Sequence, residues 1–244
     1  MLSGAKVLIT GTSRGLGLEM VTQLANRKSP PSLIFATCRN PVAAVKLQEV
    51  AKKFDFVKII QLDVNALDTY PALSKEVYKH TDKLDILINS AGISSSEAYD
   101  LSTFTPEIMT QTLHTNLVAP IYLTKIFLPL LAKPEIVEGN PSLVVNISSN
   151  MGSISENTTR GGLYPYRCSK TALNAFTRSL SLDLKIQNIS SVSIHPGWVA
   201  TDMGGKAAEL TPAQSISGVL TLIDEFQEEQ NGNFYDYAGK VFPW

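Results

Sequence analysis

The stretch Val7-Leu8-Ile9-Thr10-Gly11-Thr12-Ser13-Arg14-Gly15-Leu16-Gly17 decides the fold. Its apolar start reads as a strand over Lys6–Thr10, the kind that is buried on both faces. Three glycines then break the pattern, and a helical period follows near 15–27. Glycine permits a tight turn and lets the backbone approach another backbone or a phosphate. The start of the helix adds unpaired N–H groups and the positive end of the helix dipole. Such a turn, placed between the first strand and the first helix of an alternating chain, is a seat for a pyrophosphate. Gly11-Thr12-Ser13-Arg14-Gly15 also matches G-x-S-x-G, the nucleophile elbow of hydrolases. That elbow usually follows several strands, whereas only ten residues precede Gly11, and His114 and His195 stand without a supporting pattern.

Outward from this turn, β-rich runs alternate with helical periods to the end of the chain. Strands are expected at Leu33–Thr37, Val57–Gln61, Ile86–Asn89, Leu143–Ile147, Ser191–His195 and Asn233–Tyr237. Helices are expected near 42–53, 68–81, 106–132, 163–187 and 211–229. Strands joined by helices of this length imply βαβ crossovers. The expected fold class is therefore α/β: a doubly wound Rossmann fold with a mainly parallel sheet of about seven strands. No repeat, low-complexity tract or linker divides it, so residues 1–244 are read as one domain.

Composition narrows the function. The 244 residues, 44% of them hydrophobic, suffice for a full core. The formal charge of −1, from 21 basic and 22 acidic residues, offers no field for a polyanion, so no nucleic-acid partner is expected. Apolar runs fall well short of a membrane span, and the N-terminal residues read as a strand and not a secretory signal. Cys38 and Cys168 form neither a disulfide framework nor a metal-ligand spacing. A reducing, cytoplasmic setting without a metal site is the expectation. The sequons at Asn146, Asn157 and Asn188 are then chance matches. His80, His114 and His195 show no ligand spacing either, and His195 is expected to pack or cap.

The second strand ends Ala36-Thr37-Cys38-Arg39-Asn40. Dinucleotide folds that take NAD usually place an acid here for the ribose 2′-OH, while a basic residue suits the 2′-phosphate of NADP. This chain has Arg39, and Arg14 in the glycine turn offers a second guanidinium, a pair suited to a phosphate.

Tyr166-Arg167-Cys168-Ser169-Lys170 opens a long helical period, and residues at i and i+4 share a helix face. Tyr166 and Lys170 can therefore line one pocket. A phenol is nearly inert at its reference pKa of about 10, but a nearby ammonium favours the phenolate and lowers it. Tyr166 is thus a candidate acid/base group, able to protonate an alkoxide forming from a carbonyl. Upstream, Ser148 and Ser149 follow the strand Leu143–Ile147, at the carboxyl edge where open α/β sheets bind ligands.

Together these residues resemble the short-chain dehydrogenase/reductase family over nearly the whole chain. The cofactor loop of that family is matched by Thr10-Gly11-x₃-Gly15-x-Gly17, in which Gly11, Ser13, Arg14, Gly15, Leu16 and Gly17 would touch the cofactor with Arg39. Leu62-Asp63-Val64 resembles its adenine segment, giving Asp63 and Val64. Asn89-Ser90-Ala91-Gly92 resembles its Asn-Asn-Ala-Gly motif with serine at the second position, giving Asn89, Ala91 and Gly92. Pro196-Gly197-x₃-Thr201 resembles the segment flanking nicotinamide, giving Pro196, Gly197, Val199 and Thr201. Asn116, Ser149, Tyr166 and Lys170 match the catalytic set. The run from Ile147 to Ile154, with Pro196-Gly197-Trp198-Val199 and Met203-Gly204-Gly205-Lys206, is similar to the sniffer/C-factor-type carbonyl reductases within that family.

The resemblance implies an NADP(H)-dependent carbonyl reductase acting on a small-molecule ketone, aldehyde or quinone. Tyr166 would act as general acid, Ser149 would hold the carbonyl oxygen, Lys170 would bind the nicotinamide ribose, and Asn116 would hold a water. It also implies a cytoplasmic homodimer or homotetramer. The alternatives are an alcohol or hydroxysteroid dehydrogenase, and an NADP-binding regulator with little turnover. Ser149 and Tyr166 lie farther apart than in many members, with the extra residues expected around Glu156–Gly162, and Ser148 is the fallback for the serine. Ile93, Met151, Ile154 and Trp198 are expected around the substrate. Cys168 is expected buried and off the Tyr166 face, and Phe242-Pro243-Trp244 is left between covering the pocket and meeting another subunit.

Overall fold

The protein is described here by a computed structural model covering residues 1–95, 99–132, 141–159 and 161–244. Arg160, within the expected 156–162 loop, lies outside the described residues. The strands are β1 (Lys6–Thr10), β2 (Leu33–Cys38), β3 (Val57–Gln61), β4 (Ile86–Asn89), β5 (Ser142–Ile147), β6 (Ile189–His195) and β7 (Phe234–Asp236). The helices are α1 (Gly15–Ala25), α2 (Val45–Lys53), α3 (Tyr70–Tyr78), α4 (Pro106–Leu113), α5 (Ala119–Leu131), α6 (Tyr164–Asp183) and α7 (Pro212–Asp224). All seven strands pair in parallel, in the order β3-β2-β1-β4-β5-β6-β7.

Alternation along each apolar strand builds two cores. Val7 and Ile9, Ile86 and Ile88, and Leu143 and Val145 face one side, where Met20 and Leu24 of α1 and Ile216 and Val219 of α7 cover them. Leu8, Leu87 and Val144 face the other, against Leu73 and Val77 of α3 and Leu123 and Phe127 of α5. This double coverage explains why the strands carry no polar alternation.

Chain order reverses where β1 lies beside β4, the switch point of a doubly wound sheet. The turns after β1 and β4 meet there, with Thr10 Oγ1 accepting from the N–H groups of Ser90 and Ala91 at 3.0 Å each. The expected helix over 106–132 is in fact two. A π-helical turn over His114–Val118 divides it, because the Asn116 side chain is drawn toward Ile93 and Ser169. Such an extra residue in a helical turn commonly marks a functional site.

Candidate active site

Two cavities open along the carboxyl edge of the sheet. The first, about 250 Å³, is lined by Gly11, Ser13, Arg14, Gly15, Leu16, Gly17, Arg39, Asp63, Val64, Ala91 and Gly92, with Ile93, Thr201 and Asp202. The second, about 470 Å³, holds Ser149, Tyr166, Lys170, Pro196, Gly197 and Val199, with Met151, Leu163, His195 and Trp198. Leu16, Ser90, Gly92, Thr201 and Met203 line both, so the two form one trough.

Close packing of backbone shapes the first cavity. Gly11 has φ 73°, and a Cβ on Gly17 would stand 2.4 Å from the Gly11 carbonyl oxygen. The α1 N-terminus can therefore come close only without side chains. Arg14 precedes α1 in extended backbone with no side-chain cap, which leaves first-turn N–H groups directed at the trough. The Arg14 guanidinium pairs with Asp202 at 2.9 Å, so it is not directed at Arg39 in this state. A Cβ on Gly92 would lie 3.4 Å from Asn116 Oδ1 and 3.7 Å from Lys170 Nζ, which makes Gly92 the thin floor between the two cavities.

In the second cavity, the i,i+4 spacing on α6 puts Lys170 Nζ 5.7 Å from the centre of the Tyr166 ring. Lys170 is 4% exposed and donates to the Ile147 carbonyl at 2.7 Å. Burial pulls its pKa down to about 8. Burial also raises the Tyr166 phenol above its usual value, opposed by a side-chain hydrogen bond with Ser149. This corrects the expectation of a phenol pKa lowered by Lys170: burial is the largest influence on it, and the downward one comes from Ser149.

The two serines part company in the structure. Ser148 donates to Asn174 Oδ1 at 2.7 Å and is committed there. Ser149 starts the 3₁₀ turn Asn150–Gly152, accepting from the Met151 N–H at 3.2 Å, and its side chain meets Tyr166. Asn116 lies below them, fully buried. Its Oδ1 accepts from the Ile93 N–H at 2.8 Å, and its Nδ2 donates to the Ile93 carbonyl at 2.9 Å and to Ser169 Oγ at 3.0 Å. Ser169 in turn donates to the Tyr166 carbonyl at 2.7 Å. The side chain of Asn116 thus braces the floor and the helix bearing Tyr166.

Some expected residues fall elsewhere. Asn89 is buried within the sheet, donates to Asn146 at 2.8 Å and lines neither cavity. Ile93 borders the first cavity and not the second, and Ile154 is 72% exposed and borders neither. Cys168 is exposed, because the face of α6 opposite Ser169 and Lys170 meets solvent. His195 packs edge-on against Phe242 and lines the second cavity; burial lowers its pKa to about 4, so it is neutral. The tail folds back on its own domain. Trp244 stacks on Phe234, and its carbonyl accepts from the Ser155 N–H at 3.0 Å and from the Ser155 hydroxyl at 2.5 Å. Asn65, Thr115, Asp202, Met203 and Leu163 also line the trough. Met203 belongs to the Met203-Gly204-Gly205-Lys206 run, while no motif announces the others; they are set by where the loops close.

The family model for short chain dehydrogenase matches residues 5–211. The chain belongs to the short-chain dehydrogenase family. An uncharacterized oxidoreductase of Schizosaccharomyces pombe is 32% identical, with 97% of this chain and 96% of that protein covered. The C-signal protein of Myxococcus xanthus is 40% identical over 67% of this chain and 95% of its own length. Among solved structures, the carbonyl reductase Sniffer of D. melanogaster aligns with a TM-score of 0.93 at 40% identity, covering 98% of this chain and 99% of the other. An NADPH-bound carbonyl reductase from chicken fatty liver aligns with a TM-score of 0.93 at 36% identity over the whole of both chains. Its family and its oxidoreductase relatives make this chain an NADP-dependent oxidoreductase. Among the described residues, no helix is long and apolar enough to cross a membrane.

Proposed function

We propose that this oxidoreductase is an NADPH-dependent carbonyl reductase in which Tyr166 is the proton donor. The observation that carries the proposal is the shared trough, with guanidinium groups at one end and the Ser149–Tyr166–Lys170 cluster at the other. Its residues suit an extended dinucleotide: the α1 N-terminus would hold the phosphates, Arg39 the adenosine 2′-phosphate, and Gly92, Pro196 and Gly197 the nicotinamide. When bound, the reduced nicotinamide supplies the hydride.

The chain's own residues do the rest. Ser149 and the Tyr166 hydroxyl both donate to the carbonyl oxygen, which fixes the substrate and stabilises the charge that grows there. Tyr166 then releases its proton to that oxygen. A phenol is protonated at neutral pH at its ordinary pKa of about 10, the form a reductase needs, and burial shifts it further the same way. Lys170, one turn along α6, holds positive charge beside the phenolate left behind. Asn116 keeps Gly92 and α6 in register through Ile93 and Ser169.

Met151, Leu163, Trp198, Val199 and Met203 give the second cavity an apolar wall. This suits aromatic or aliphatic carbonyl compounds and disfavours sugars, whose hydroxyls would lose their water without replacement. Steady-state oxidation of NADPH with diones, quinones, steroids and sugars tests this. Turnover of diones or quinones is expected; activity confined to sugars, or preference for NADH, would overturn it.

A further inference from the structure

Leu163 stands in left-handed backbone, with φ 49° and ψ 40°. For an L residue with a large side chain this conformation is costly, because Cβ crowds the following carbonyl oxygen. The other non-glycine residue with positive φ among the described residues is Asn188, a type that tolerates it. A strained leucine persists only where its surroundings over-determine it. Here they do. Its N–H donates to the Tyr99 carbonyl at 2.8 Å, its carbonyl accepts from the Arg167 N–H at 2.9 Å, and Arg167 Nε donates to the Gly162 carbonyl at 3.1 Å.

Capping does not account for the choice of residue. Leu163 is the N-cap of α6, yet its side chain can accept no hydrogen bond, where serine, asparagine or aspartate would. The leucine instead lines the substrate cavity, three positions before Tyr166, together with Ser149, Met151 and Trp198. Strain at a ligand-lining position is the pattern of a site that keeps a side chain for what it touches.

We propose that Leu163 is a specificity-determining residue: its strained backbone aims an apolar side chain into the cavity beside Tyr166 and limits the width of the carbonyl compound that can enter. The inference rests on the carbonyl-reductase reading above. Isatin, compact and planar, should be preferred to benzil, whose two phenyl rings are twisted.

Two variants test it in the full-length protein with NADPH: Leu163→Gly, which removes strain and side chain, and Leu163→Asn, which keeps a side chain that tolerates the conformation. In Leu163→Gly the isatin-to-benzil ratio of kcat/KM should fall by about tenfold, through KM more than kcat, whereas Leu163→Asn, nearly the same shape as leucine, should hold the ratio within about threefold of the wild type. The unfolding midpoint should stay level or rise, since the strain is gone. A Leu163→Gly ratio within about threefold of the wild type, or a fall in Leu163→Asn as large as in Leu163→Gly, would overturn the proposal, whatever happens to stability. Loss of turnover by the wild type on every carbonyl would instead end the reductase reading. Binding of the same two diones, followed by tryptophan fluorescence, would then still decide Leu163: the ratio of affinities shifts as above, or the proposal fails.

Discussion

Lys170 Nζ donates to the Ile147 carbonyl at 2.7 Å while lying 5.7 Å from the centre of the Tyr166 ring. The cation is held by one strand end and presented to one phenol, with Lys170 itself only 4% exposed. Burial lowers its pKa from 10.5 to about 8, a cost on the order of 3 kcal/mol for the charged form. The function of this residue is thus paid for in stability.

The sign of the pH dependence follows from that cost. The unfolded chain holds the proton more tightly, so the penalty is complete below about pH 8 and fades as pH rises toward 10.5. Lys170→Met removes it, while the orphaned Ile147 carbonyl takes back about 1–2 kcal/mol. The variant should therefore be more stable than the wild type at neutral pH by roughly 1 kcal/mol, with the advantage shrinking as pH rises through that window, and nearly inactive. Urea unfolding of both proteins at neutral and alkaline pH checks this. A variant clearly less stable at neutral pH would show that the amine is a net stabiliser.

Arg39 borders the first cavity where β2 ends, and no acid stands in its place. Arg39→Ala should weaken NADPH binding by about 10- to 100-fold, the loss of one charge-assisted hydrogen bond, and leave NADH unchanged. Arg14→Ala should cost less, because Asp202 already engages that guanidinium at 2.9 Å. Fluorescence titration of both cofactors separates the two arginines.

Gly17 is the tightest point of the cofactor turn, with the Gly11 carbonyl 2.4 Å from where a Cβ would be. Gly17→Ala should push α1 away from β1, destabilise the fold by about 1–3 kcal/mol and weaken NADPH binding. Thermal unfolding with and without NADPH reads both effects.

Sequence made the sheet legible because the central strands β1, β4 and β5 are buried on both faces and almost wholly apolar. The Gly11–Gly17 turn and the Tyr166–Lys170 pair were legible because their chemistry fixes residue type at fixed spacing. What escaped is set by tertiary contact. The π-helical turn at His114–Val118 lies inside an unbroken helical period, and only the pairing of Asn116 with Ile93 and Ser169 produces it. Asn89 has the motif's residue type but turns inward to Asn146, a choice made by the neighbouring strand. Tyr166 has a cation at the right spacing, yet burial raises its pKa, because depth in the fold is not written in an i,i+4 interval. The fold-back of Trp244 onto Phe234 and Ser155 depends on a loop far away in sequence.

The central claim is that the Tyr166 hydroxyl delivers the proton during carbonyl reduction. Tyr166→Phe keeps the ring and the packing and removes only that hydroxyl, so NADPH affinity and unfolding midpoint should hold. The most direct measurement is kcat for dione reduction with NADPH, wild type against Tyr166→Phe. A fall of about 10²- to 10⁴-fold is predicted; a variant that retains kcat within a few-fold of the wild type would contradict the account.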